Sequence, residues 1–400
     1  MAAAGASERG LAVLVLEKNR KLGVKILMSG GTRCNITHNC GPKEIAVAIG
    51  DKGRFLYPAL GALPPDQVIQ KIERLGVLTK VEDTGKIFPQ SDRAIDVRDA
   101  LVSIATEAGA KIETLHAVDQ ISRPGEHFHV VTQGKSVTAQ SVILTTGGKS
   151  YPGCGTTGDG YEWARHFGHT IIPPVAALTP IRTTDPWASE LSGITIPKAR
   201  VSVLEPTDGT NRKPAKTLAC CDDALLFTHV GFSGPAVLNV SRAVNLHRSP
   251  NRLSLGIDFI PGQSAAPFRT GLQKTLDNNG KLAAGNLILD DIPRRVLHCL
   301  LSRSGIATTD RTAELSRSQV DRLAGELKSA TFPISGTLGF KKAEVTAGGV
   351  ALQEINAKTM ESKLCSGLFL AGEIIDIDGP IGGYNFQAAF STGWLAGQNA

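Results

Sequence analysis

The residues of this chain that are best suited to chemistry stand close to its C-terminus. An apolar run, residues 368–371, enters a polar segment that is rich in glycine and continues into a stretch with helical spacing. Glycine lets the backbone approach a ligand closely, and a helix N-terminus offers unpaired N–H groups and a positive dipole end to an electron-rich group. This pattern favours a cofactor site. Its candidate binding residues are Gly372, Glu373, Asp376, Gly382, Gly383, Tyr384 and Asn385.

The N-terminal residues are typical of the second half of a βαβ dinucleotide-binding unit. Residues 2–9 predict a helix that Gly10 ends, and residues 12–16 predict a strand that closes on Glu17. An acidic residue at this tip accepts hydrogen bonds from a ribose; the alternative is a charged residue that only ends a strand. No strand with a GxGxxG turn precedes Met1. We therefore expect the first strand and the GxGxxG phosphate-binding turn to be missing from this chain.

Two further glycine segments lie between these ends. Residues 25–35 form a glycine-containing loop that is followed closely by polar residues. Such a loop is not typical of a hydrophobic core. Residues 137–146 are a β-rich apolar run that enters Gly147-Gly148, and they predict a central, buried strand. Further along, Asp159 predicts the start of a helix that ends at Gly168.

The remaining pattern predicts an α/β chain with inserted segments. Residues 64–76 and 92–108 have helical spacing, with Asp92 as N-cap, and residues 77–89 predict a hairpin. Prolines at 173, 174 and 180 mark a boundary, after which short strands predict a small barrel in which Ser233 caps a helix. We expect a discontinuous first domain, a β-barrel insert and a helical insert. Their residues are 1–177 with 351–400, 178–262 with 331–350, and 263–330, respectively.

Composition bounds the class of protein. The chain has 400 residues and 42% apolar content, enough for two or three domains. Its apolar runs are too short for a membrane span, and Glu8-Arg9 interrupts any signal peptide, so we expect a cytoplasmic protein. Seven cysteines without a framework spacing fit a reducing compartment, and Cys34, His38 and Cys40 lack a second ligand pair for a metal.

The net charge of +6 permits an RNA partner without indicating one. The local basic clusters are more typical of a solvated surface than of a binding stripe. They comprise residues 18–25, Arg212-Lys213 with Lys216, and Lys341-Lys342.

Several ordered motifs together resemble those of the BaiN-like FAD-binding oxidoreductases, and the resemblance covers essentially the whole chain. It implies a two-dinucleotide-type FAD fold with a β-barrel and a helical insert. It also implies chemistry of the kinds linked to this family, which are bile-acid dehydro-intermediate reduction, aminoacetone oxidation and dihydrouridine formation in large-subunit ribosomal RNA. The motifs are Lys25-Ile-Leu-Met-Ser-Gly-Gly-Thr-Arg-Cys-Asn35, Thr146-Gly-Gly, Thr157-Gly-Asp-Gly-Tyr161, Leu226-Phe-Thr-His-x-Gly-x-Ser-Gly-Pro235, Glu344-Val-Thr-x-Gly-Gly349, Gly372-Glu-x-x-Asp376 and Gly382-Gly-Tyr-Asn-Phe-Gln387.

The resemblance implies roles for the glycine segments. Glu17 binds the adenosine ribose, Gly147 passes near the adenine, and Asp376 reaches the ribityl or phosphate region. Residues 383–385 begin a helix against the pyrimidine side of the isoalloxazine, where a positive dipole end stabilises the charge of reduced flavin. Gly30, Gly31, Arg33 and Asn35 border the pyrophosphate or the flavin ring. The other candidate cofactor residues are Lys18, Thr146 and Gly148.

Two residues are candidates for catalysis. Cys34 stands between an arginine and an asparagine, and nearby positive charge that lowers its pKa would let it protonate a carbanion. A small buried packing residue is the equal alternative. His229 follows a strand-like run and contacts substrate in one interpretation, or stabilises a turn in the other.

The expected function is that of an FAD-dependent oxidoreductase. NAD(P)H, bound transiently, reduces tightly bound FAD, and a hydride passes from flavin N5 to a C=C bond of an enone-like small molecule or of a uracil-like base in structured ribosomal RNA. One alternative is an amine or aminoketone oxidase that passes electrons to oxygen. The other is a chain that binds no FAD, for lack of its phosphate turn, and acts only as an RNA-associated or interaction protein.

Overall fold

The computed structural model describes residues 1–206, 215–289 and 292–400. Arg212 and Lys213 of the basic cluster named above therefore lie outside the described residues. The chain forms two compact units. One comprises residues 1–176 and 343–400, and the other comprises residues 177–342.

The described residues form thirteen α-helices and eighteen β-strands. The α-helices are α1 (Ala2–Ser7), α2 (Val24–Met28), α3 (Pro42–Ile49), α4 (Tyr57–Ala62), α5 (Pro65–Glu73), α6 (Ala94–Glu107), α7 (Asp159–His166), α8 (Trp187–Glu190), α9 (Pro235–Leu246), α10 (Ala265–Asn278), α11 (Arg294–Arg303), α12 (Arg317–Ser329) and α13 (Tyr384–Asn399). The strands are β1 (Leu14–Glu17), β2 (Thr37–His38), β3 (Thr79–Val81), β4 (Lys86–Pro89), β5 (Lys111–Thr114), β6 (Val118–Ser122), β7 (Phe128–Thr132), β8 (Lys135–Ala139), β9 (Val142–Leu144), β10 (Ile171–Ala177), β11 (Ile181–Thr183), β12 (Thr195–Glu205), β13 (Lys216–Thr228), β14 (Gly231–Ser233), β15 (Ser254–Asp258), β16 (Ala330–Thr337), β17 (Val345–Val350) and β18 (Leu368–Leu370).

The first unit is built on two parallel strand pairs. β1 pairs with β5, so that Glu17 lies opposite Thr114, and β9 pairs with β18, so that Leu144 lies opposite Leu370. Antiparallel sheets of β2-β4-β3 and β6-β7-β8 and the pair β10-β17 complete its strands within the described residues. The three residues of β18 are all buried, as expected for a parallel strand covered on both faces.

Helices α1 and α13 of this unit cross at unusually small residues. A Cβ on Gly397 would lie 2.2 Å from the carbonyl oxygen of Ala2, and one on Gly5 would lie 2.9 Å from that of Trp394. Glycine at both positions therefore lets the two backbones touch.

The second unit contains a closed six-stranded barrel with the strand order β11-β14-β13-β12-β15-β16. The barrel strands bury apolar side chains together with those of α9 to α12, and Trp187 stacks on Phe332 at 5.1 Å in the same core. This unit thus contains a barrel and helices, but β17, which was expected in the barrel insert, belongs to the first unit, where it pairs with β10.

Three local predictions need correction. The run 137–146 is not one strand: β8 ends at Ala139, and β9 is a separate strand that pairs with β18. Asp92 does not cap α6, because the N-cap is Arg93 and the Asp92 carboxylate binds Lys80 and Arg33 instead. Ser233 ends β14, and the N-cap of α9 is Gly234.

The loss of the first strand and its GxGxxG turn stays a prediction, but a GxGxxG spacing does occur elsewhere in the chain, at residues 153–158. Their sequence, Gly-Cys-Gly-Thr-Thr-Gly, has that spacing and leads into α7 at Asp159. β9, however, ends at Leu144, so no strand runs directly into the turn. The spacing is present without the strand–turn–helix unit that usually carries it.

Candidate cofactor site

Glycine turns follow both strands of the parallel pair β9–β18. Gly147 (φ 73°) follows β9, and Gly372 (φ 76°) follows β18, so both adopt the left-handed conformation that glycine favours. A Cβ on Gly148 would lie 2.4 Å from Thr346 Oγ1. Because the carboxyl ends of parallel strands meet at one edge of a sheet, these turns lie side by side, where ligands of α/β sheets bind.

A hydrogen-bonded network centred on Glu373 lies at this edge. Glu373 Oε1 accepts from Ser150 Oγ (2.7 Å) and Thr346 N (2.8 Å), and Oε2 accepts from Lys25 Nζ (2.5 Å). Lys25 Nζ also donates to Ser150 Oγ at 2.6 Å. Thr346 Oγ1 in turn accepts from the backbone N–H groups of Lys149 (2.8 Å) and Ser150 (3.0 Å). The network joins four segments that are far apart in the sequence.

The loop after α2 has a left-handed backbone over most of its length. Gly30 (φ 55°), Gly31 (φ 66°), Thr32 (φ 72°) and Cys34 (φ 64°) all have positive φ. A Cβ on Gly30 would lie 2.9 Å from Asn35 N, whereas one on Gly31 would meet nothing within 4 Å. Gly30 is therefore required by the fold of the loop, while Gly31 presents bare backbone.

Cys34 does not have the environment predicted for it. Its side chain is fully buried, and burial raises the pKa of its thiol to about 12, an effect that a hydrogen bond with Ser29 only partly offsets. Arg33 points elsewhere: its Nη1 binds Glu82 at 2.7 Å, and its guanidinium lies 4.0 Å from the Phe88 ring. The prediction that nearby positive charge lowers the pKa of Cys34 is wrong. The alternative of a small buried packing residue agrees with these contacts.

The N-terminus of α13 is held by Asn35 and by Thr37 of β2. Gly383 (φ 91°) is the N-cap, and a Cβ there would lie 2.4 Å from the carbonyl carbon of Thr37. With its amide oriented to satisfy both neighbours, Asn35 donates to Thr37 O and accepts from Gly383 N, each at 3.0 Å. Thr37 Oγ1 also donates to Gln387 Oε1 at 2.7 Å. These contacts fix the position and direction of the helix start.

The segment that precedes α13 is folded onto itself. Asn385 Oδ1 accepts from Gly379 N (2.8 Å), and its Nδ2 donates to Gly379 O (2.9 Å), so this side chain closes the turn. Tyr384 stacks on His38 with 4.8 Å between ring centroids, and the His38 Nδ1 atom lies 3.0 Å from Gly382 O. Burial is the main cause of a raised pKa for the Tyr384 phenol.

Asp376 and a buried tyrosine lie close to the Glu373 network. Asp376 Oδ1 accepts from Lys52 Nζ at 2.6 Å, with only 11% of its side chain exposed. Tyr161 is buried, and its hydroxyl has no hydrogen-bond partner among the described residues. Burial first, then the charges of Glu373 and Asp376, raise the pKa of that phenol. A buried hydroxyl without a hydrogen-bond partner is typical of a site that a polar ligand completes.

Glu17 and Lys18 lie at the tip of β1. Glu17 Oε1 accepts from Asn19 N at 2.7 Å. Lys18 Nζ donates to Thr157 Oγ1 and Asp159 Oδ2, both at 2.6 Å, so it ties the tip of β1 to the turn of residues 153–158. Thr157 and Asp159 were missed as candidate site residues, although they belong to one of the motifs quoted above.

His229 belongs to the second unit. It is exposed in the turn between β13 and β14 of the second unit, where Thr228 Oγ1 donates to Gly231 O at 3.0 Å and closes the turn. Its contact with substrate stays a prediction.

Comparison with known proteins decides the class of this chain. Residues 1–399 match the family described as HI0933-like protein Rossmann domain. The chain belongs to this family. The resemblance to the BaiN-like FAD-binding oxidoreductases is thereby confirmed, and with it a Rossmann-type FAD-binding domain in an FAD-dependent oxidoreductase.

Relatives of the HI0933-like family align over nearly their whole lengths. The chain is 30% identical to the 3-dehydro-bile acid delta(4,6)-reductase of Clostridium scindens, and the match covers 100% of this chain and 95% of that protein. It is 32% identical to the ribosomal RNA dihydrouridine synthase of Haemophilus influenzae, over 98% of this chain and 93% of that protein. The ribosomal RNA dihydrouridine synthase of Escherichia coli is 29% identical, with the same coverage of both chains.

The residues of the first unit fit the FAD of this family. The unpaired Tyr161 hydroxyl, the bare backbone at Gly31 and the paired turns after β9 and β18 supply a donor, a place of close approach and a strand-end edge. Within the described residues, no group of His, Cys, Asp and Glu side chains is suited to a metal ion, and none of the helices is long and apolar enough to cross a membrane.

Lys25 belongs to the network of Glu373, and the sequence motifs did not predict this. It opens the motif of residues 25–35 but was not named as a site residue, because its partner Glu373 is 348 positions away. The position of this lysine just before a glycine loop was the signal that could have identified it as a candidate site residue. Only the fold shows that it neutralises the carboxylate at the strand-end edge.

Proposed function

We propose that this chain is an FAD-dependent reductase of a C=C bond conjugated to a carbonyl group, as in an enone or a uracil ring, with NAD(P)H as reductant. The observation that carries the proposal is the full-length similarity to proteins whose printed names describe such products, a bile acid delta(4,6)-reductase and ribosomal RNA dihydrouridine synthases. Dihydrouridine is uridine with its ring C=C bond reduced, so both names describe addition of hydrogen to a polarised double bond. A cytoplasmic location belongs to the same proposal.

The chain's own residues would stabilise charge on the cofactor, keep the start of α13 in place and bind the phosphate-containing part of the cofactor. When bound and reduced by NAD(P)H, FAD would supply a hydride from its N5 atom. The first-turn N–H groups of α13 have no intrahelical acceptor, so they would stabilise negative charge on the electron-rich end of a flavin ring bound at this helix start. The contacts of Gly383 with Asn35 and Thr37 keep this helix start in place during the reaction.

The charged residues bind and orient the phosphate-containing part of the cofactor. Lys25 and Lys52 are held by Glu373 and Asp376, so each cation has a fixed position before a ligand arrives. Lys18 is held in the same way by Asp159 at the tip of β1. A site whose polar groups are already placed loses less entropy when it binds.

The proposal is tested by anaerobic turnover with NADPH and with NADH. The acceptors are a small cyclic enone and a uridine-containing fragment of large-subunit ribosomal RNA. We expect the accepted substrate to gain two hydrogen atoms, measured by mass spectrometry, with oxidation of one equivalent of reduced nicotinamide. Rapid peroxide formation in air with an aminoketone, and no reduction of either acceptor, would instead identify an oxidase.

A further inference from the structure

The proposed reduction requires a proton donor for the carbon that does not receive the hydride. The donor has to lie close to the flavin ring, which the proposed function seats at the start of α13, and it has to reach solvent to regain its proton. Cys34 does not qualify, because it is fully buried and burial raises its pKa to about 12. Lys25 is already engaged by Glu373 and Ser150.

His38 contacts the start of α13 directly. Its ring stacks on that of Tyr384, the first residue of α13, with 4.8 Å between the ring centroids and 20° between the planes. Its Nδ1 atom lies 3.0 Å from the carbonyl oxygen of Gly382. The residue is half-buried, whereas its neighbour Thr37 is fully buried. The imidazole of His38 is therefore at the helix start and still reaches solvent.

The contact with Gly382 decides which ring nitrogen of His38 is free to give up a proton. A carbonyl oxygen only accepts hydrogen bonds, so Nδ1 carries a hydrogen and donates it to Gly382 O. The Nε2 atom has no hydrogen-bond partner among the described residues. Nε2 is thus the nitrogen of this ring that can lose and regain a proton.

Gly85 leaves the Nε2 edge of the imidazole uncovered. It stands in the turn between β3 and β4, with a left-handed φ of 78°. A Cβ at this position would lie 2.5 Å from His38 Nε2 and 3.0 Å from His38 Cε1. The turn is fixed on both sides, because Gly85 N donates to Glu82 O at 2.7 Å and Gly85 O accepts from Asn39 N at 2.8 Å. Any side chain at residue 85 would press on the free nitrogen.

The other titratable side chains around His38 are poorer proton donors. Burial is the main cause of a raised pKa for the Tyr384 phenol and for the Cys40 thiol. Lys86 lies opposite His38 in the β2–β4 pair, and an ammonium group is a far weaker acid than an imidazolium. Imidazole is the side chain that typically exchanges its proton between about pH 5 and pH 8, so it can give a proton and take one back from water under the same conditions.

We propose that His38 is the catalytic acid of the reduction. The inference rests on the proposed function. One carbon of the substrate C=C bond receives a hydride, with both its electrons, from the reduced flavin. The other carbon receives the Nε2 proton of the His38 imidazolium, so the double bond becomes a single bond, the flavin is oxidised and a neutral imidazole remains. The ring then takes a proton from water at Nε2, while Nδ1 stays bound to Gly382 O.

The first test separates the two half-reactions in His38→Asn. The asparagine amide occupies the position of Nδ1 and can keep the bond to Gly382 O, but it has no group at the position of Nε2. We expect flavin reduction by NADPH to stay close to the wild-type rate and reoxidation of reduced flavin by the acceptor to slow by about 10²-fold to 10⁴-fold. The matched control is His127→Asn, in the exposed turn between β6 and β7, which should change neither half-reaction.

A second readout does not depend on activity. NMR spectra of protein isotopically labelled at the histidine ring nitrogens report which nitrogen carries the hydrogen, and the resonances that are absent from His38→Asn belong to His38. We expect the neutral ring of His38 to carry its hydrogen on Nδ1. A neutral ring with its hydrogen on Nε2 would overturn the proposal, because Nε2 would then keep the proton that it has to give up.

The outcomes distinguish the inference from the function beneath it. Failure of wild-type reduced flavin to be reoxidised by any acceptor would overturn the proposed function itself. Normal wild-type reoxidation, with His38→Asn close to wild type and Tyr384→Phe slowed instead, would leave the function intact and assign the proton to Tyr384. Equal slowing of both half-reactions in His38→Asn would show that His38 only holds the turn. If His38→Asn binds no flavin, His38→Gln, which places an amide at the Nε2 position, takes its place with the same expected slowing.

Discussion

At the scale of single residues, the site depends on backbone positions that only glycine can occupy. Gly383 combines a left-handed φ of 91° with a Cβ position 2.4 Å from the carbonyl carbon of Thr37. The obstacle is backbone rather than the end of a flexible side chain. Any substitution must therefore move the start of α13 away from β2.

We expect Gly383→Ala to lose FAD and to lower the free energy of unfolding by about 1–3 kcal/mol. Flavin absorbance of the purified protein and urea unfolding measure the two effects. The control is Gly61→Ala in α4, where a Cβ would meet nothing within 4 Å, and where alanine should stabilise the helix by about 0.5–1 kcal/mol. Full flavin content in Gly383→Ala would mean that the helix start does not position the cofactor.

A buried histidine in the first unit predicts a pH dependence of stability. His169 Nε2 lies 2.8 Å from Ser362 Oγ, and its Nδ1 lies 3.2 Å from Glu354 Oε2. Ser362 Oγ also accepts from Leu364 N and Cys365 N, so its own proton goes to the ring. Burial lowers the pKa of His169 below 6.5, with the hydrogen bond and charge of Glu354 opposing this shift. The ring is thus a neutral structural element.

Stability should therefore fall in acid through His169. Between the folded pKa of His169 and about 6.5, the unfolded chain binds more protons than the folded one. The contribution of neutral His169 to the free energy of unfolding is therefore complete above that range and is lost as pH falls. Urea unfolding of His169→Gln should show a weaker loss between pH 7 and pH 5 than wild type. An equal loss in both proteins would assign the acid sensitivity to other groups.

The roles of single residues could be predicted only in part. Glycine spacing located the turns after β9 and β18 and the start of α13, because positive φ leaves a signature in the sequence. The partners of Glu373 could not be predicted, because Lys25, Ser150 and Thr346 meet it only through tertiary packing. The environment of Cys34 was mispredicted for the same reason. Its sequence neighbour Arg33 indicated positive charge, whereas its side chain is packed in an apolar cluster.

At the scale of elements, the crossing of α1 and α13 decides how the C-terminal helix is seated. Gly393 and Gly397 are one turn apart on the face of α13 that meets α1. A Cβ on Gly397 would lie 2.2 Å from Ala2 O, whereas one on Gly393 would lie 3.4 Å from Ala2 N. The two positions therefore form a matched pair with opposite expectations.

Gly397→Ala should force the helices apart and lower the free energy of unfolding by about 1–3 kcal/mol. Gly393→Ala should be neutral or stabilising by up to about 1 kcal/mol, since alanine favours helix and its methyl group fits. Thermal unfolding of both variants measures the difference. Equal stability of the two would show that α1 can shift at no cost.

The elements themselves were predictable wherever the pattern was long. The helices over 64–76 and 92–108, the hairpin over 77–89 and the C-terminal strand and helix correspond to α5, α6, β3–β4, β18 and α13. The run 137–146 was misjudged because only two residues separate β8 from β9, although the two strands join different sheets. Periodicity alone does not show where one sheet ends and the next begins.

At the scale of the whole molecule, the positive charge is concentrated in one unit. Residues 177–342 contain 21 Lys and Arg against 14 Asp and Glu, whereas the remaining residues contain 22 against 23. The unit that holds the barrel therefore carries a net charge of +7, and the remaining residues carry −1. Concentrated positive charge attracts polyanions.

We expect a structured fragment of large-subunit ribosomal RNA to bind with an affinity that falls steeply with salt, because each neutralised phosphate releases counterions. Fluorescence anisotropy at increasing salt measures the slope. Binding of a small uncharged enone, followed by flavin perturbation, should change little over the same range. An RNA affinity that does not respond to salt would argue against an RNA substrate.

The central claim is tested most directly by one anaerobic experiment. The flavin of the purified protein is reduced with one equivalent of NADPH, and the flavin absorbance is followed after addition of the enone or the uridine-containing RNA. The account predicts that the oxidised flavin spectrum returns without oxygen, at a rate that depends on the acceptor concentration. A flavin that stays reduced with every such acceptor and is reoxidised only by oxygen, with release of peroxide, would contradict it.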